Sequence, residues 1–253
     1  MRPSLSVAII CKNEARNMGD ALASVAWAEE IVVVDSGSTD ETAALARAAG
    51  ARVLEHPWEG HIRQKNFAAG QCAGPWILSI DADERVTPEL RASIERELEN
   101  PKFEAYRVSR LCWFMNRWIR HEGWYPDAKV RLWKQGAGRW GGYDPHDDVN
   151  VDGLVGRLDG DLHHYVYRYV QHNLLTIARY SSIMARELHQ RGRRAHVWDL
   201  VLRPPLVFLK KLILRLSILD GFPGLVIATT SAFSVYAKYA KLWEMQRVGG
   251  LLL

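Results

Sequence analysis

The stretch LSVAIICKNEARNMGDALASVAWAEEIVVVD, residues 5–35, determines the fold class. It opens with LSVAIIC and closes with EIVVVD, and such continuous apolar, β-branched runs are typical of strands that are buried on both faces. Between them, Met18, Leu22 and Val25 recur at helical spacing and predict the apolar face of a short helix. Two buried strands joined by a helix predict a parallel βαβ unit.

The alternation of strands and helices continues to about residue 100. Ser38 and Glu41 have capping-box spacing and predict a helix that ends at Gly50. Thr87 and Pro88 predict the N-cap and first residue of another helix. The other elements expected here are strands at 52–55 and 76–80 and a helix at 61–72. This order predicts an α/β fold with a mostly parallel, Rossmann-like sheet and flanking helices.

The pattern changes after residue 102. Ala105–Cys112 and Ala128–Lys134 alternate and predict antiparallel strands. A long helix is predicted from Val166 to Arg191, and an apolar, basic, helical extension follows it. We therefore divide the chain into an α/β domain, residues 1–165, and a helical C-terminal region, residues 166–253.

The composition limits the class of protein and its compartment. Of the 253 residues, 48% are apolar and 25% are charged, which excludes a disordered chain. The net charge of +4 is too small to indicate a nucleic-acid partner. Cys11, Cys72 and Cys112 are odd in number and widely spaced, which predicts buried thiols in a reducing compartment. The N-terminal apolar run is too short for a signal peptide, so we expect a cytoplasmic protein.

The C-terminal region has the composition of a membrane-facing segment. Between Arg191 and Arg215 there are seven Lys or Arg residues and one acid, Asp199, which favours anionic lipid headgroups or another anionic partner. Gly221–Ala237 is an uncharged run of 17 residues that contains Pro223 and four Ser or Thr, so it is a weak candidate for a membrane span. Helices lying in the membrane interface are predicted instead. The alternative is a helical bundle that packs on the catalytic domain or on a second subunit.

Acidic side chains follow two of the predicted strands. Asp35 ends one strand, and Asp81 and Asp83 directly follow another. Ligands on α/β sheets bind beyond the carboxyl ends of the strands. Two carboxylates at this spacing can meet Mg²⁺ or a ribose, and Asp35 can accept a hydrogen bond from a nucleotide. The structural alternatives are a solvated acidic turn and a turn-capping aspartate.

The order of the motifs CKNE, VDSGSTDET, QKNFAAGQCAGPW and SIDADE resembles the family 2 glycosyltransferases, which have the GT-A fold. This resemblance is clear over about residues 4–90. The segments GWYPDAKVRLWK, LDGDLHHYVYRYVQHN and LDGFPGLVIATTSAFSVYAKYAKLWE are similar to the lipopolysaccharide-core β-1,4-glucosyltransferase-like branch of that family. The resemblance implies that residues 1–165 form a GT-A catalytic domain.

The resemblance also implies roles for individual residues. Glu14 would contact the nucleotide, and Asp35 would face the uracil. Lys65 would lie near the diphosphate or the base. Asp81 would approach the ribose or the water shell of a metal, and Asp83 would ligate that metal, Mg²⁺ or Mn²⁺.

An inverting transferase also needs a carboxylate base on the acceptor side. Related sequences usually carry His-Glu after the RLW strand, whereas this chain has DPHDD at residues 144–148. We predict Asp147 as the base, with Asp148 as the alternative. His146 would orient the base, approach the metal or cap a turn.

The predicted function is transfer of a hexose, for example glucose from UDP-glucose, to a lipopolysaccharide-core or other lipid-linked acceptor at the inner face of the cell membrane. A polyprenyl-phosphate or capsule glycosyltransferase of the same fold would share all four motifs quoted for residues 4–90. A nucleotidyltransferase is disfavoured because the first loop, CKNEARN, has no glycine. A dinucleotide oxidoreductase is disfavoured because no G-x-G-x-x-G follows the first strand. A membrane adaptor would not require acids at strand ends.

Overall fold

The structure is a computed structural model that describes residues 3–143, 146–167 and 169–247; the side chains of Tyr143 and His146 are outside the description. The chain forms two compact units. The first comprises Met1–Leu111 and Pro126–His164, and the second comprises Cys112–Tyr125 and Tyr165–Leu253. The sequence placed residues 112–125 in the α/β domain. They belong to the second unit because Phe114 and Ile119 pack with Ile227 there.

The first half of the main sheet is parallel, as the sequence predicted. Its central strand has both faces covered, since Val7 and Ile9 pack into one buried cluster and Ala8 packs into another. This explains the continuous apolar run. The parallel strands are β1 (Leu5–Cys11), β2 (Glu30–Asp35), β3 (Arg52–Glu55) and β4 (Trp76–Asp81), and the helices between them are α1 (Ala15–Val25), α2 (Thr42–Ala48) and α3 (His61–Gly70).

The register of this half brings two of the predicted site residues to one edge. β1 lies between β2 and β4, and all three run in the same direction. Cys11 pairs with Asp35, and Ile10 pairs with Asp81. Because neighbouring strands are about 4.8 Å apart, Asp35 and Asp81 lie about 10 Å apart across the sheet.

Antiparallel strands continue the sheet beyond β4. The elements after β4 are β5 (Glu84–Val86), α4 (Pro88–Glu99), β6 (Ala105–Phe114), β7 (Arg117–Ile119), β8 (Asp127–Lys134), β9 (Gly138–Tyr143), β10 (His146–Val151) and β11 (Val155–His164). The strand order in the sheet is β3-β2-β1-β4-β8-β6-β11-β5, with β7 paired to β6. A separate antiparallel pair, β9 and β10, forms a hairpin that carries Asp147 and Asp148. The predicted α/β class and the predicted change to antiparallel strands are confirmed.

The two predicted helix starts have different outcomes. Thr87 caps α4 by accepting a hydrogen bond from the Leu90 amide, as its position before Pro88 predicted. The capping box of Ser38 and Glu41 is wrong, because α2 begins at Thr42 and neither residue makes a side-chain cap. The Ser38 side chain instead bonds the carboxylate of Asp35.

The second unit is helical and ends in one long helix. Ala185, Ala195, Leu242 and Met245 form a buried cluster within it. By length and composition alone, the helical stretch Ser217–Arg247 could cross a membrane, and 22% of its most apolar window is buried. The helices are α5 (Val170–Gln190), α6 (Val197–Val201), α7 (Arg203–Leu209), a π-helical turn (Lys210–Leu214), a 3₁₀ turn (Ser217–Asp220) and α8 (Gly221–Arg247).

The three cysteines, all within the described residues, are buried and form no disulfide, and the sequence predicted buried thiols. Burial raises the pKa of the Cys72 thiol to about 12. A thiol that stays protonated is a poor nucleophile and a poor metal ligand. Cys72 is therefore a packing residue.

Candidate active site

The Asp81-Ala82-Asp83 sequence forms a tight turn between β4 and β5. The next residue, Glu84, is fully buried, and its carboxylate accepts a hydrogen bond of 2.8 Å from the Asp81 amide. This bond closes the turn. The turn thereby projects Asp81 and Asp83 beyond the carboxyl edge of the parallel strands.

Two arginines neutralise the buried carboxylate of Glu84. Arg131 Nη2 donates to Glu84 Oε1 at 2.7 Å and to Asp81 Oδ2 at 3.1 Å. Arg110 lies 3.4 Å from Glu84 and also bonds Asp127 through Nε at 3.0 Å. A buried charge is tolerated only when it is paired in this way. The network fixes the base of the site.

Asp81 is held ionised by its neighbours. Its partial burial alone would raise its pKa, but Lys65 and Arg131 hold the pKa of this carboxyl well below its ordinary value. Lys65 Nζ lies 3.1 Å from Asp81 Oδ1. Asp81 therefore carries a full negative charge at neutral pH.

The QKN motif on α3 contributes three consecutive side chains with three different roles. Gln64 donates to Ser36 Oγ at 2.9 Å and so ties α3 to the loop after β2. Lys65 is 6% exposed and donates to Asp147 Oδ2 at 2.8 Å. Its ammonium therefore bridges Asp81 and Asp147.

Asn66 positions the hairpin that carries Asp147. Its side chain accepts a 3.0 Å bond from the Trp140 amide and donates a 2.9 Å bond to the Trp140 carbonyl. The Trp140 ring lies 4.3 Å below Lys65 Nζ. The hairpin is thus attached to α3 at a residue adjacent to the bridging lysine.

A cavity of about 470 Å³ opens at this point. It contains four basic and four acidic side chains, so its charges balance. In the part of the chain that the structure describes, the buried Nε and Nη1 of Arg131 and the buried Nε1 of Trp140 have no hydrogen-bond partner. Unpaired N–H donors beside a cavity suit an anionic ligand. The cavity is lined by Lys65, Asp81, Arg110, Asp127, Lys129, Arg131, Trp140, Asp147 and Asp148.

Asp83 lies next to His164, a histidine at the end of β11. His164 Nε2 is 3.5 Å from Asp83 Oδ2. The two side chains lie close together because β11 pairs with β5 in a register that places His164 opposite Glu84, the residue after Asp83. A carboxylate and an imidazole fit a divalent cation whose other ligands are water and diphosphate oxygens. Among the described side chains, no group of three or more His, Cys, Asp or Glu could hold a metal.

Of the two residues expected at the nucleotide end, Asp35 is the last residue of β2 and Glu14 lies in the loop after β1. Asp35 is 3% exposed and accepts a 3.0 Å bond from the Ser38 amide. Glu14 accepts a 2.6 Å bond from Asn17, and its own amide donates to Thr42 Oγ1. Both loops therefore have fixed conformations at the edge where Asp81 emerges.

Of the proposed acceptor-side residues, Asp147 and Asp148 both line the cavity. Asp148 is 47% exposed and lies 4.0 Å from Lys129. The side chain of His146 lies outside the described part of the structure. Arg131 alternates with Val130 and Leu132, and this pattern favours a side chain that points away from the core, but Arg131 is 2% exposed and bonded to Asp81.

The family model for glycosyl transferase family 2 matches residues 6–150. The chain belongs to this family. It is 32% identical over 95% of its length to the lipopolysaccharide core biosynthesis glycosyltransferase LpsC of Rhizobium meliloti, 92% of which is covered. A glycosyltransferase of Rickettsia felis is also 32% identical, over 95% of this chain and 89% of that protein.

A solved structure shows the same fold over nearly the whole chain. The S. aureus TarS 1–349 complex with UDP-GlcNAc superposes with a TM-score of 0.52, at 14% identity, covering 97% of this chain and 92% of that one. The chain is therefore a family 2 glycosyltransferase with the GT-A fold that the resemblance implied, and it is similar to a lipopolysaccharide core enzyme.

Proposed function

We propose that the protein is an inverting transferase that moves a hexose, for example glucose, from a UDP-sugar to a lipopolysaccharide-core or other lipid-linked glycan. The observation that carries this proposal is the Lys65 bridge, which holds Asp81 and Asp147 in one cavity. A single displacement needs a base near the attacking hydroxyl and positive charge near the departing diphosphate. The proposal is supported because Asp147, Lys65 and Arg131 line the same cavity.

In this mechanism Asp147 removes the proton from the acceptor hydroxyl as that oxygen attacks the anomeric carbon. The bond from the sugar to the diphosphate breaks on the opposite face, and UDP leaves with its electron pair. Lys65 fixes the direction of the Asp147 carboxylate through Oδ2. Arg131 lines the cavity and holds Asp81 in place through its Nη2. Glu14 and Asp35 bind the nucleotide.

A divalent cation, Mg²⁺ or Mn²⁺, would be held by Asp83 and His164 and would neutralise charge on the diphosphate. The proposal is supported by the 3.5 Å separation of their ligand atoms. Asp81 lies two residues from Asp83 and would act through a water of the cation's shell.

The assignment of Asp147 as the base is tested by comparing Asp147→Asn with Asp148→Asn, which replaces the adjacent residue. Both residues line the cavity, and each change removes one charge from the same hairpin. We expect turnover to fall about 10²–10⁴-fold in Asp147→Asn with little change in donor binding. Asp148→Asn should stay within a few-fold of wild type. The reverse result would assign the base to Asp148, and normal activity in both would remove a carboxylate base from this hairpin.

The second unit is proposed to bind the inner face of the cell membrane peripherally. The proposal is supported by a run of exposed apolar side chains between residues 197 and 222, beside the basic residues of the same segment. The cytoplasmic side is favoured because none of the three cysteines, all within the described residues, forms a disulfide. The exposed apolar residues are Val197, Trp198, Val201, Leu202, Leu206, Leu209, Ile213, Leu214, Leu216, Ile218, Leu219 and Phe222.

Extraction of isolated membranes tests this placement. A peripheral protein is released by alkaline carbonate, whereas a protein with a spanning helix stays in the pellet. We expect release. Retention would instead make Ser217–Arg247 a membrane span, and absence from membranes before extraction would favour a soluble bundle.

A further inference from the structure

The second unit contains a cavity of about 440 Å³ that the sugar-transfer mechanism does not use. Three arginines line it, together with one histidine and one carboxylate. Its lining residues are Leu188, Gly192, Arg193, Arg194, His196, Asp199, Arg203, Tyr239 and Leu242.

The turn after α5 places two of the arginines. Gly192 has a φ of +71°, its amide bonds the His189 carbonyl at 2.9 Å, and the Arg193 amide bonds the Leu188 carbonyl at 2.9 Å. This pair of bonds is the Schellman motif, which ends a helix and reverses the chain. Arg193 and Arg194 therefore leave the helix at a fixed point.

The arginines outnumber their acidic partners. Asp199 pairs with Arg203, whose guanidinium also lies 5.0 Å over the Tyr239 ring. In the described ranges, no ion pair involves the side chain of Arg193 or Arg194, and both residues are exposed. Two guanidinium groups are thus available beside a cavity. Guanidinium forks match phosphate oxygens in geometry and charge.

An exposed apolar helix directly follows the cavity residue His196 in the sequence. α6 follows His196 directly, and its residues Val197, Trp198 and Val201 are 54%, 70% and 57% exposed. Trp side chains favour the depth of lipid headgroups, and basic residues there attract anionic lipids. A free phosphate would use the arginines but not the apolar side chains, whereas a lipid uses both.

We propose that this arginine cavity, lined by Arg193, Arg194 and Arg203, binds the phosphate of an anionic phospholipid headgroup while α6 contacts the acyl region. The proposal rests on the proposed membrane association, and it does not require the sugar-transfer chemistry.

Vesicle cosedimentation with the full-length protein tests it. The variant Arg193→Gln/Arg194→Gln removes the two unpaired guanidinium groups. The matched control Arg179→Gln/Arg186→Gln removes two exposed arginines of α5 that do not line the cavity. On vesicles of phosphatidylglycerol and phosphatidylcholine, we expect the cavity variant to bind roughly 30-fold more weakly than wild type. The control should change by less than about threefold, and binding to pure phosphatidylcholine should be equal in all three proteins.

Inorganic phosphate, added at constant ionic strength, separates the two sources of a phosphate group. Under the proposal it competes with anionic vesicles for wild type but not for the cavity variant. Equal loss of vesicle binding in the cavity variant and the control would overturn the proposal, because only general charge would matter. It would also be overturned if the cavity variant lost binding of inorganic phosphate but kept that of vesicles. UDP release from a UDP-sugar is assayed separately, so failure of the transferase proposal would not be mistaken for failure of this one.

Discussion

Replacing Arg131 with methionine should destabilise the first unit strongly. Arg131 is 2% exposed, and its guanidinium bonds both Glu84 and Asp81. The methionine side chain has a similar length but carries no charge. Glu84, which is fully buried, would then keep Arg110, at 3.4 Å, as its cationic partner.

The expected cost follows from this geometry. Removing one partner of a buried ion pair costs about 3–5 kcal/mol, because an uncompensated charge stays in the interior. The second arginine at Glu84 favours the lower end, about 3 kcal/mol. With a urea m-value of about 2 kcal/mol/M, the midpoint of unfolding should fall by about 1.5 M.

The assay is urea unfolding followed by circular dichroism, combined with a double-mutant cycle. In Glu84→Gln/Arg131→Met both charges are absent, so we expect the double variant to be about 2 kcal/mol more stable than the sum of the single effects. Arg107→Met is the control, since Arg107 is exposed on β6 and its loss should cost less than about 0.5 kcal/mol. Additive single effects, or an unchanged midpoint in Arg131→Met, would refute the claim that this ion pair supports the Asp81 turn.

Three further predictions concern other contacts. Asn66→Ala should lower the unfolding free energy by about 1–3 kcal/mol, because two backbone groups of Trp140 lose their hydrogen-bond partner. The unfolding free energy of Asn66→Asp should lie between those of Asn66→Ala and wild type, and equal values for all three proteins would contradict the role of Asn66. His164→Gln should raise the metal concentration needed for half-maximal donor turnover at least about tenfold, whereas His163→Gln should leave it unchanged. Identical metal titrations of the two variants would remove His164 from the proposed metal site. Burial raises the pKa of Glu122 above its ordinary value of 4.5, so the stability that the protonated side chain contributes is complete below pH 4.5 and is lost as the pH rises through the folded pKa. The unfolding free energy of wild type, measured relative to that of Glu122→Gln, should therefore fall as the pH rises. A difference that does not change with pH would show that Glu122 does not titrate in this way.

The parallel half of the sheet was predictable because its pattern is local. β1 and β2 have the bounds that their apolar runs predicted, since a strand covered on both faces must be apolar at nearly every position. The short β3, which is exposed at both ends, also has its predicted bounds. The acids that follow β2 and β4 could also be placed, because the carboxyl ends of parallel strands share one edge.

The pairings across long sequence separations were not predictable. Arg131 alternates with Val130 and Leu132, which predicted an outward side chain, but its partner Glu84 lies 47 residues away. His164 reaches Asp83 only through the register of β11 on β5. Ser38 had the spacing of a cap, but its hydroxyl accepts a 2.8 Å bond from the Asn13 amide, 25 residues away. In each case a contact in three dimensions outweighs the local pattern.

The decisive measurement is the release of UDP from a panel of UDP-sugars, with and without Mg²⁺ or Mn²⁺, by wild type and by Asp83→Asn. We expect wild type to turn over at least one UDP-sugar only when the cation is present, and Asp83→Asn to lose this turnover. Absence of metal-dependent turnover with every UDP-sugar, or equal turnover in Asp83→Asn, would rule out a metal-dependent sugar transferase that uses Asp83.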